Sequence, residues 1–242
     1  MAAVNILETR GLTKTYAGLQ ANTDIDFTLA RGKITALIGP NGAGKSTFVG
    51  MVSGRTPATS GQVFFEGRDI SALAAHARIQ LGLAYTFQIT SIFPGLPVHE
   101  NVALAARRVL GSNPAKTAQK VDDVLRRVGL EDRADQIAGD LSYGHQRLLE
   151  IAMGLAQDPK IFILDEPTQG LAEAEVKDFI TLIRDLAGET TILLIEHNMK
   201  VVMAAADHIT VLDQGRILAN GTPAEIHANA AVQAAYLGTA DA

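Results

Sequence analysis

The chain reads as an α/β fold, a parallel sheet covered by helices, and three observations predict it. Residues 39–47, Gly-Pro-Asn-Gly-Ala-Gly-Lys-Ser-Thr, fit a phosphate-binding loop and follow an apolar strand, Ile34 to Ile38. A second apolar strand, Ile161 to Leu164, ends in the paired acids Asp165-Glu166. A helical stretch from Val176 to Leu186 then leads to a further apolar strand, Thr190 to Ile195, which gives the β-α-β order of a parallel sheet.

In chain order, the first thirty residues read as strands. Ile25, Phe27 and Leu29 alternate with Asp24, Asp26 and Thr28, so one face is buried. After the loop, Thr47 to Val52 continues as a helix whose positive N-terminus faces an anion. Gln62 to Glu66 is a short strand ended by Gly67, and Leu83 to Phe87 is another. From about residue 98 to 157 the pattern is helical, with Val121, Val124, Leu125 and Val128 at i, i+3, i+4, i+7 spacing. Leu148, Leu149, Ile151, Ala152 and Leu155 form the next stripe, stopped by Asp158-Pro159. Ile209 to Leu212 and Arg216 to Ala219 form a hairpin through Asp213-Gln214-Gly215, and the tail from Pro223 is Ala-rich and helical. No repeat or linker divides the chain, so residues 1–242 are expected to form one domain, with helices inserted at about 89–158.

Composition narrows the function. The 242 residues are 47% hydrophobic and 19% charged, an ordinary globular balance. A net charge of −5 gives no basic footprint for nucleic acid. Cysteine is absent, which removes disulfides and thiolate metal sites. No secretory signal is read at the start, and no apolar run approaches the ~20 residues that span a bilayer. A membrane role would have to come through a partner.

The loop's chemistry follows from its residues. Gly39, Pro40, Asn41, Gly42, Ala43 and Gly44 supply a curled backbone whose N–H groups converge on one anion. Lys45 adds a mobile positive charge, Ser46 can ligate Mg²⁺, and Thr47 opens the helix. Asp165, at a strand end beside such a loop, suits Mg²⁺ held through water, and Glu166 suits polarising an attacking water. Glu196 could serve as a metal acid by itself, but the Asp165-Glu166 pair already fills that role.

Just upstream of the acidic strand lies Leu141-Ser142-Tyr143-Gly144-His145-Gln146-Arg147. It resembles the Leu-Ser-Gly-Gly-Gln signature of the ATP-binding cassette (ABC) ATPases, with Tyr143 in place of the first Gly and His145 in place of Gln. The resemblance implies a P-loop core of ABC type, with an antiparallel β subdomain and an inserted helical signature subdomain. It implies ATP and Mg²⁺ as ligands, with Ser142, Tyr143 and Gly144 offered to the γ-phosphate held by a facing subunit. Tyr16 falls where the family stacks an aromatic ring on adenine. Gln88 matches the glutamine that senses Mg²⁺ and the water, and His197 matches the switch histidine at the γ-phosphate. Ala172 stands where the family usually has an Asp that joins the two ATP sites.

The wording around these motifs, Ile195 to Lys200 and Ala219 to Pro223 included, is similar to the ATPase subunits of branched-chain or hydrophobic amino-acid importers. That likeness implies ATP hydrolysis coupled to transport by a peripheral subunit at the cytoplasmic face of the membrane. The implied partners are transmembrane permease subunits, which Ile89 to Leu96 should face, and a second ATPase subunit in a homodimer or heterodimer. An importer would add an extracytoplasmic substrate-binding protein. An ATPase for lipid or lipopolysaccharide export has the same catalytic parts, and a soluble cassette protein outside transport is a further alternative.

Overall fold

Alternating burial in the first thirty residues builds two long antiparallel strands, β1 (Asn5–Tyr16) and β2 (Leu19–Ala30). The computed structural model describes residues 4–86, 91–111 and 113–237. Next come β3 (Ile34–Ile38), the glycine loop and α1 (Lys45–Ser53). β4 (Ser60–Phe65) and β5 (Arg68–Asp69) complete a four-stranded antiparallel sheet, in the order β2-β1-β4-β5. The expected strand at 62–66 thus starts two residues earlier, and Glu66 turns the chain with φ 49°. A short helix, α2 (Ala75–Gln80), precedes β6 (Leu83–Tyr85). Phe87, the expected end of that strand, lies outside the described residues.

The helical region holds α3 (Val98–Leu110), α4 (Pro114–Val128) and α5 (Tyr143–Leu155). Strands then alternate with helices through β7 (Ile161–Asp165), α6 (Glu173–Leu186), β8 (Thr191–Ile195), α7 (Met199–Ala205) and β9 (His208–Asp213). β10 (Arg216–Gly221), α8 (Pro223–His227) and α9 (Ala230–Leu237) complete the described chain. α6 begins three residues before the expected Val176, because its polar first turn carries no apolar period.

The second sheet has six strands in the order β10-β9-β3-β8-β7-β6. All neighbours are parallel except the β9–β10 hairpin, so the sheet is mixed rather than wholly parallel. β3, β7 and β8 are buried throughout and split their side chains by period 2. Phe162, Leu164, Ile192 and Leu194 join the core under α3, α4 and α5. Ile161, Ile163, Leu193 and Ile195 face the opposite core, made with α1 and the antiparallel sheet. There Phe27 of β2 meets Phe48 of α1 edge-to-face, ring centres 5.1 Å apart.

α5 lies flush on β7 because Gly154 has no side chain: a methyl built there would sit 2.3 Å from Cζ of the fully buried Phe162. Gly154→Ala should therefore lower the unfolding free energy by about 1–3 kcal/mol through overpacking, although alanine is the better helix former. Urea denaturation measures this. Adding Phe162→Leu should recover part of the loss, and two additive losses would show that the contact does not limit packing.

Candidate active site

The parallel sheet gathers the chemistry at the carboxyl ends of three adjacent strands. The glycine loop leaves β3, Asp165 closes β7, and Glu196-His197 leave β8, which lies between them. The loop and the two acids share a cavity of about 390 Å³, lined by Asn41 to Thr47, Asp165, Glu166 and Ile195, with Leu19, Gln20 and Ala21 from β2.

The loop needs glycine at particular places. Gly44 caps α1 in the left-handed region (φ 97°), and a methyl there would fall 2.5 Å from the Ala21 carbonyl. At Gly39 it would fall 2.2 Å from the Leu212 carbonyl. The Gly215 N–H donates to the Ala43 carbonyl and ties the loop to the β9–β10 turn. α1 has neither a capping side chain nor an acid in its first turn, so its positive end is left to an external anion. Lys45 Nζ donates to the carbonyls of Gly39 (2.6 Å) and Pro40 (3.1 Å). Burial pushes its ammonium pKa down, while Glu166 and Asp165 oppose that shift.

The acids are held differently. Asp165 is buried, and burial pushes its carboxyl pKa up, against a 2.5 Å hydrogen bond from the Tyr85 hydroxyl to Oδ2. Its own N–H donates to Thr86 Oγ1 at 3.4 Å. Glu166 adopts φ 47°, a conformation costly for a residue with a Cβ. Its N–H donates to the Ile195 carbonyl (2.9 Å), and Oε1 lies 3.7 Å from Nδ1 of His197. Three carbonyls of this turn accept from one buried guanidinium: Arg147 reaches Glu166 O at 2.9 Å, Pro167 O at 3.3 Å and Asp165 O at 3.4 Å. Arg147 is itself paired with buried Glu150 at 2.6 Å.

Glu196 is not a metal acid but a clamp. It is fully buried, and Oε1 accepts from both the N–H and the hydroxyl of Thr168, at 3.1 and 2.5 Å. Oε2 accepts from the N–H groups of His197 and Asn198, at 3.2 and 3.4 Å. The turn after Glu166 and the turn carrying His197 are thereby fastened together.

Other predicted residues stand apart from the cavity. Tyr16, at the end of β1, is 44% exposed under Lys14 Nζ, 4.7 Å from its ring centre, and is not among the lining residues, although its strand partner Leu19 is. Ser142 caps α5 by accepting the His145 N–H (3.3 Å), and its Oγ lies 2.9 Å from His145 Nδ1. Tyr143 is exposed beside Gly170, and Gly144 is buried against Glu175. These three do not line the cavity of their own chain. Ala172 precedes α6, where Glu175 Oε2 accepts its N–H at 2.8 Å, half of a capping box. Gln88 lies outside the described residues, as do Ile89 and Thr90. No group of three or more acidic or histidine ligands forms a metal cage among the described residues. Asp165 and Ser46 are hard oxygen donors on one cavity, a set that suits Mg²⁺ shared with phosphates.

Sequence reasoning passed over Tyr85, Arg147 and the clamp role of Glu196. Their partners lie 80, 18–20 and 28 residues away, so no local spacing announces them.

Comparison with known proteins agrees with this geometry. The family profile described as ABC transporter matches residues 22–169, more than half of the chain. A second, described as branched-chain amino acid ATP-binding cassette transporter, matches residues 216–242. The chain is 38% identical to the high-affinity branched-chain amino acid transport ATP-binding protein BraF of Pseudomonas aeruginosa, covering 97% of this chain and 98% of the relative. It is equally identical, with the same coverage, to LivG of Salmonella typhimurium, which carries the same description. Among solved structures, an ATP-binding cassette of an ABC transporter in its ADP conformation superposes with a TM-score of 0.86 at 28% identity, covering 97% of this chain and 99% of that one. The chain belongs to the ATPases of the ABC transporter family.

Proposed function

We propose that the chain energises import of branched-chain or other hydrophobic amino acids. In this reading residues 1–242 act as one nucleotide-binding domain, docked peripherally on permease subunits at the cytoplasmic face of a membrane, with an extracytoplasmic substrate-binding protein delivering the cargo. Among the described residues no helix is long and apolar enough to cross a membrane, so docking falls to the surface. The substrate class rests on the relatives' descriptions and on the family match at 216–242.

The observation that carries the hydrolytic part is the shared cavity of loop and acids, with Ser142 to Gly144 outside it on the same chain. A second cassette would bring its own Ser142 to Gly144 to this cavity and complete the site. The open N-terminus of α1 and Lys45 hold the outer phosphates. Asp165 and Ser46 would hold Mg²⁺, which when bound neutralises charge on the outer phosphates. Glu166 accepts a hydrogen bond from the attacking water and draws its proton as the oxygen meets the γ-phosphorus, whose bond to the β–γ bridging oxygen breaks to release ADP and phosphate. His197, next to Glu166, donates toward the γ-phosphate oxygens. Tyr16, whose strand partner Leu19 lines the cavity, would stack on adenine, and Gln88 would sense Mg²⁺ and the water.

Glu166→Gln should bind ATP as the parent does but hydrolyse it at least ~100-fold more slowly, since an amide is no base. Static light scattering with ATP should then show a persistent dimer. Hydrolysis at the parental rate would remove Glu166 from the mechanism.

Phe93 is the best anchor for docking. It is 51% exposed on a loop pinned by buried Asn101, whose Oδ1 accepts the Phe93 N–H at 2.7 Å and whose Nδ2 donates to Phe93 O at 3.1 Å. The neighbouring Ile92 packs inward instead. Phe93→Ala should leave the melting temperature and basal ATPase activity near parental values. Leucine uptake by vesicles reconstituted with the co-purifying membrane subunits should fall sharply, because an aromatic anchor can contribute about 2 kcal/mol or more to an interface. Unchanged uptake would clear Phe93 of docking, and absence of leucine uptake by the parent would overturn the substrate.

A further inference from the structure

Tyr85 ends β6, and no step of the hydrolytic reading uses it. It pairs in register with Ile163 on β7, two residues before Asp165, so Tyr85 and Asp165 belong to the same face of the sheet. From there the hydroxyl donates its 2.5 Å hydrogen bond to Asp165 Oδ2. The ring is fixed from another side. Arg55 follows the end of α1, and its guanidinium carbon sits 3.9 Å from the ring centre. Arg55 is in turn anchored by Nε donating to Ser53 Oγ at 3.0 Å. Three elements, α1, β6 and β7, thus meet at one phenol aimed at one carboxylate.

A carboxylate on a strand end has a broad, roughly two-fold torsion about its last bond, so an unheld Asp165 would present either oxygen over a wide range. A donor fixed on Oδ2 removes that freedom. Carboxylates that ligate metals are commonly oriented by such outer partners, and losing one costs about 10–100-fold in metal affinity. We propose that Tyr85 is a positioning residue that locks Asp165 through Oδ2 and leaves Oδ1 to face Mg²⁺ in the phosphate cavity. The proposal rests on the reading of Asp165 as the Mg²⁺-holding acid. It adds that the end of α1, through Arg55, and the strand leading toward the docking segment, through Tyr85, both set how well that metal is held.

Tyr85→Phe tests it, since only the hydroxyl is lost and the ring can still stack under Arg55. Mn²⁺ serves as the probe in place of Mg²⁺. With the full chain and ADP at equal concentrations, both above their dissociation constant, electron paramagnetic resonance counts free Mn²⁺ through a titration. The variant should take up Mn²⁺ roughly tenfold more weakly than the parent. ADP affinity measured in EDTA should stay within about twofold, the size of change that leaves the loop's own binding intact. In hydrolysis, the Mg²⁺ concentration giving half-maximal rate should rise by more than kcat falls. Rescue by a second donor gives a check on orientation: Tyr85→His should recover part of the Mn²⁺ affinity, and Tyr85→Met should not.

Equal Mn²⁺ affinity in parent and Tyr85→Phe would overturn the proposal, whether or not the melting temperature fell. Tighter Mn²⁺ binding would overturn it too, by showing that the phenol competes with the metal. Should Tyr85→Phe fail to fold, the comparison of Tyr85→His with Tyr85→Met decides in its place. A parent complex that holds Mn²⁺ no more tightly than free ADP does would remove Asp165 as a metal ligand, and the role of Tyr85 with it. A parent that holds the metal beside an unaffected variant removes Tyr85 alone.

Discussion

The site depends on the register of three buried strands. β8 separates β3 from β7, and the pairing sets Leu37 beside Ile195 and Ile195 beside Asp165 in one row. The loop starts two residues past Leu37, and Glu196 follows Ile195, so all three chain reversals occur at the same height. A slip of one residue in either pairing would turn an apolar side chain out of each core and point Asp165 at the wrong face. The sheet resists this because both of its faces are covered, and each slipped residue would have to exchange cores. The catalytic geometry is therefore secured by hydrophobic burial along the strands that end in the charged groups.

Charged groups then fasten the chain reversals to each other. Arg147 belongs to the helix that Ser142 caps, yet its guanidinium serves the carbonyls of Asp165, Glu166 and Pro167. The signature end of α5 and the acidic turn consequently form a single mechanical piece. Glu196 performs the same service between Thr168 and the His197 turn. Burying these charges carries a desolvation cost, which the Glu150 partner of Arg147 and the hydrogen bonds at both residues offset.

Much of this was legible in the sequence where chemistry is local. The glycine loop has a fixed spacing, and an apolar run ending in two acids needs only neighbouring residues to be read. Period-2 alternation gave β2, and the i, i+3, i+4, i+7 stripe gave α4, each from a single window. α2 and α7 escaped notice because six and seven residues hold too few turns for a period to emerge. The clamp role of Glu196 is hidden for a different reason. An acid at a strand end looks the same in sequence whether it faces a metal or a buried threonine, and only Thr168, 28 residues earlier, distinguishes the two. Tyr85 carries no signal in the sequence for the same cause, since its partner is 80 residues away.

Glu166 sets stability and function against each other. Its left-handed backbone costs of order 1 kcal/mol or more, which glycine at the same position would not incur. Selection for robustness alone would therefore drift toward glycine there and erase the acid. Populations kept under demand for a working protein should hold glutamate at 166 while gathering offsetting gains elsewhere in the fold. In a library ranked only by resistance to heat, position 166 should be among the first where the winning residue and the useful residue differ.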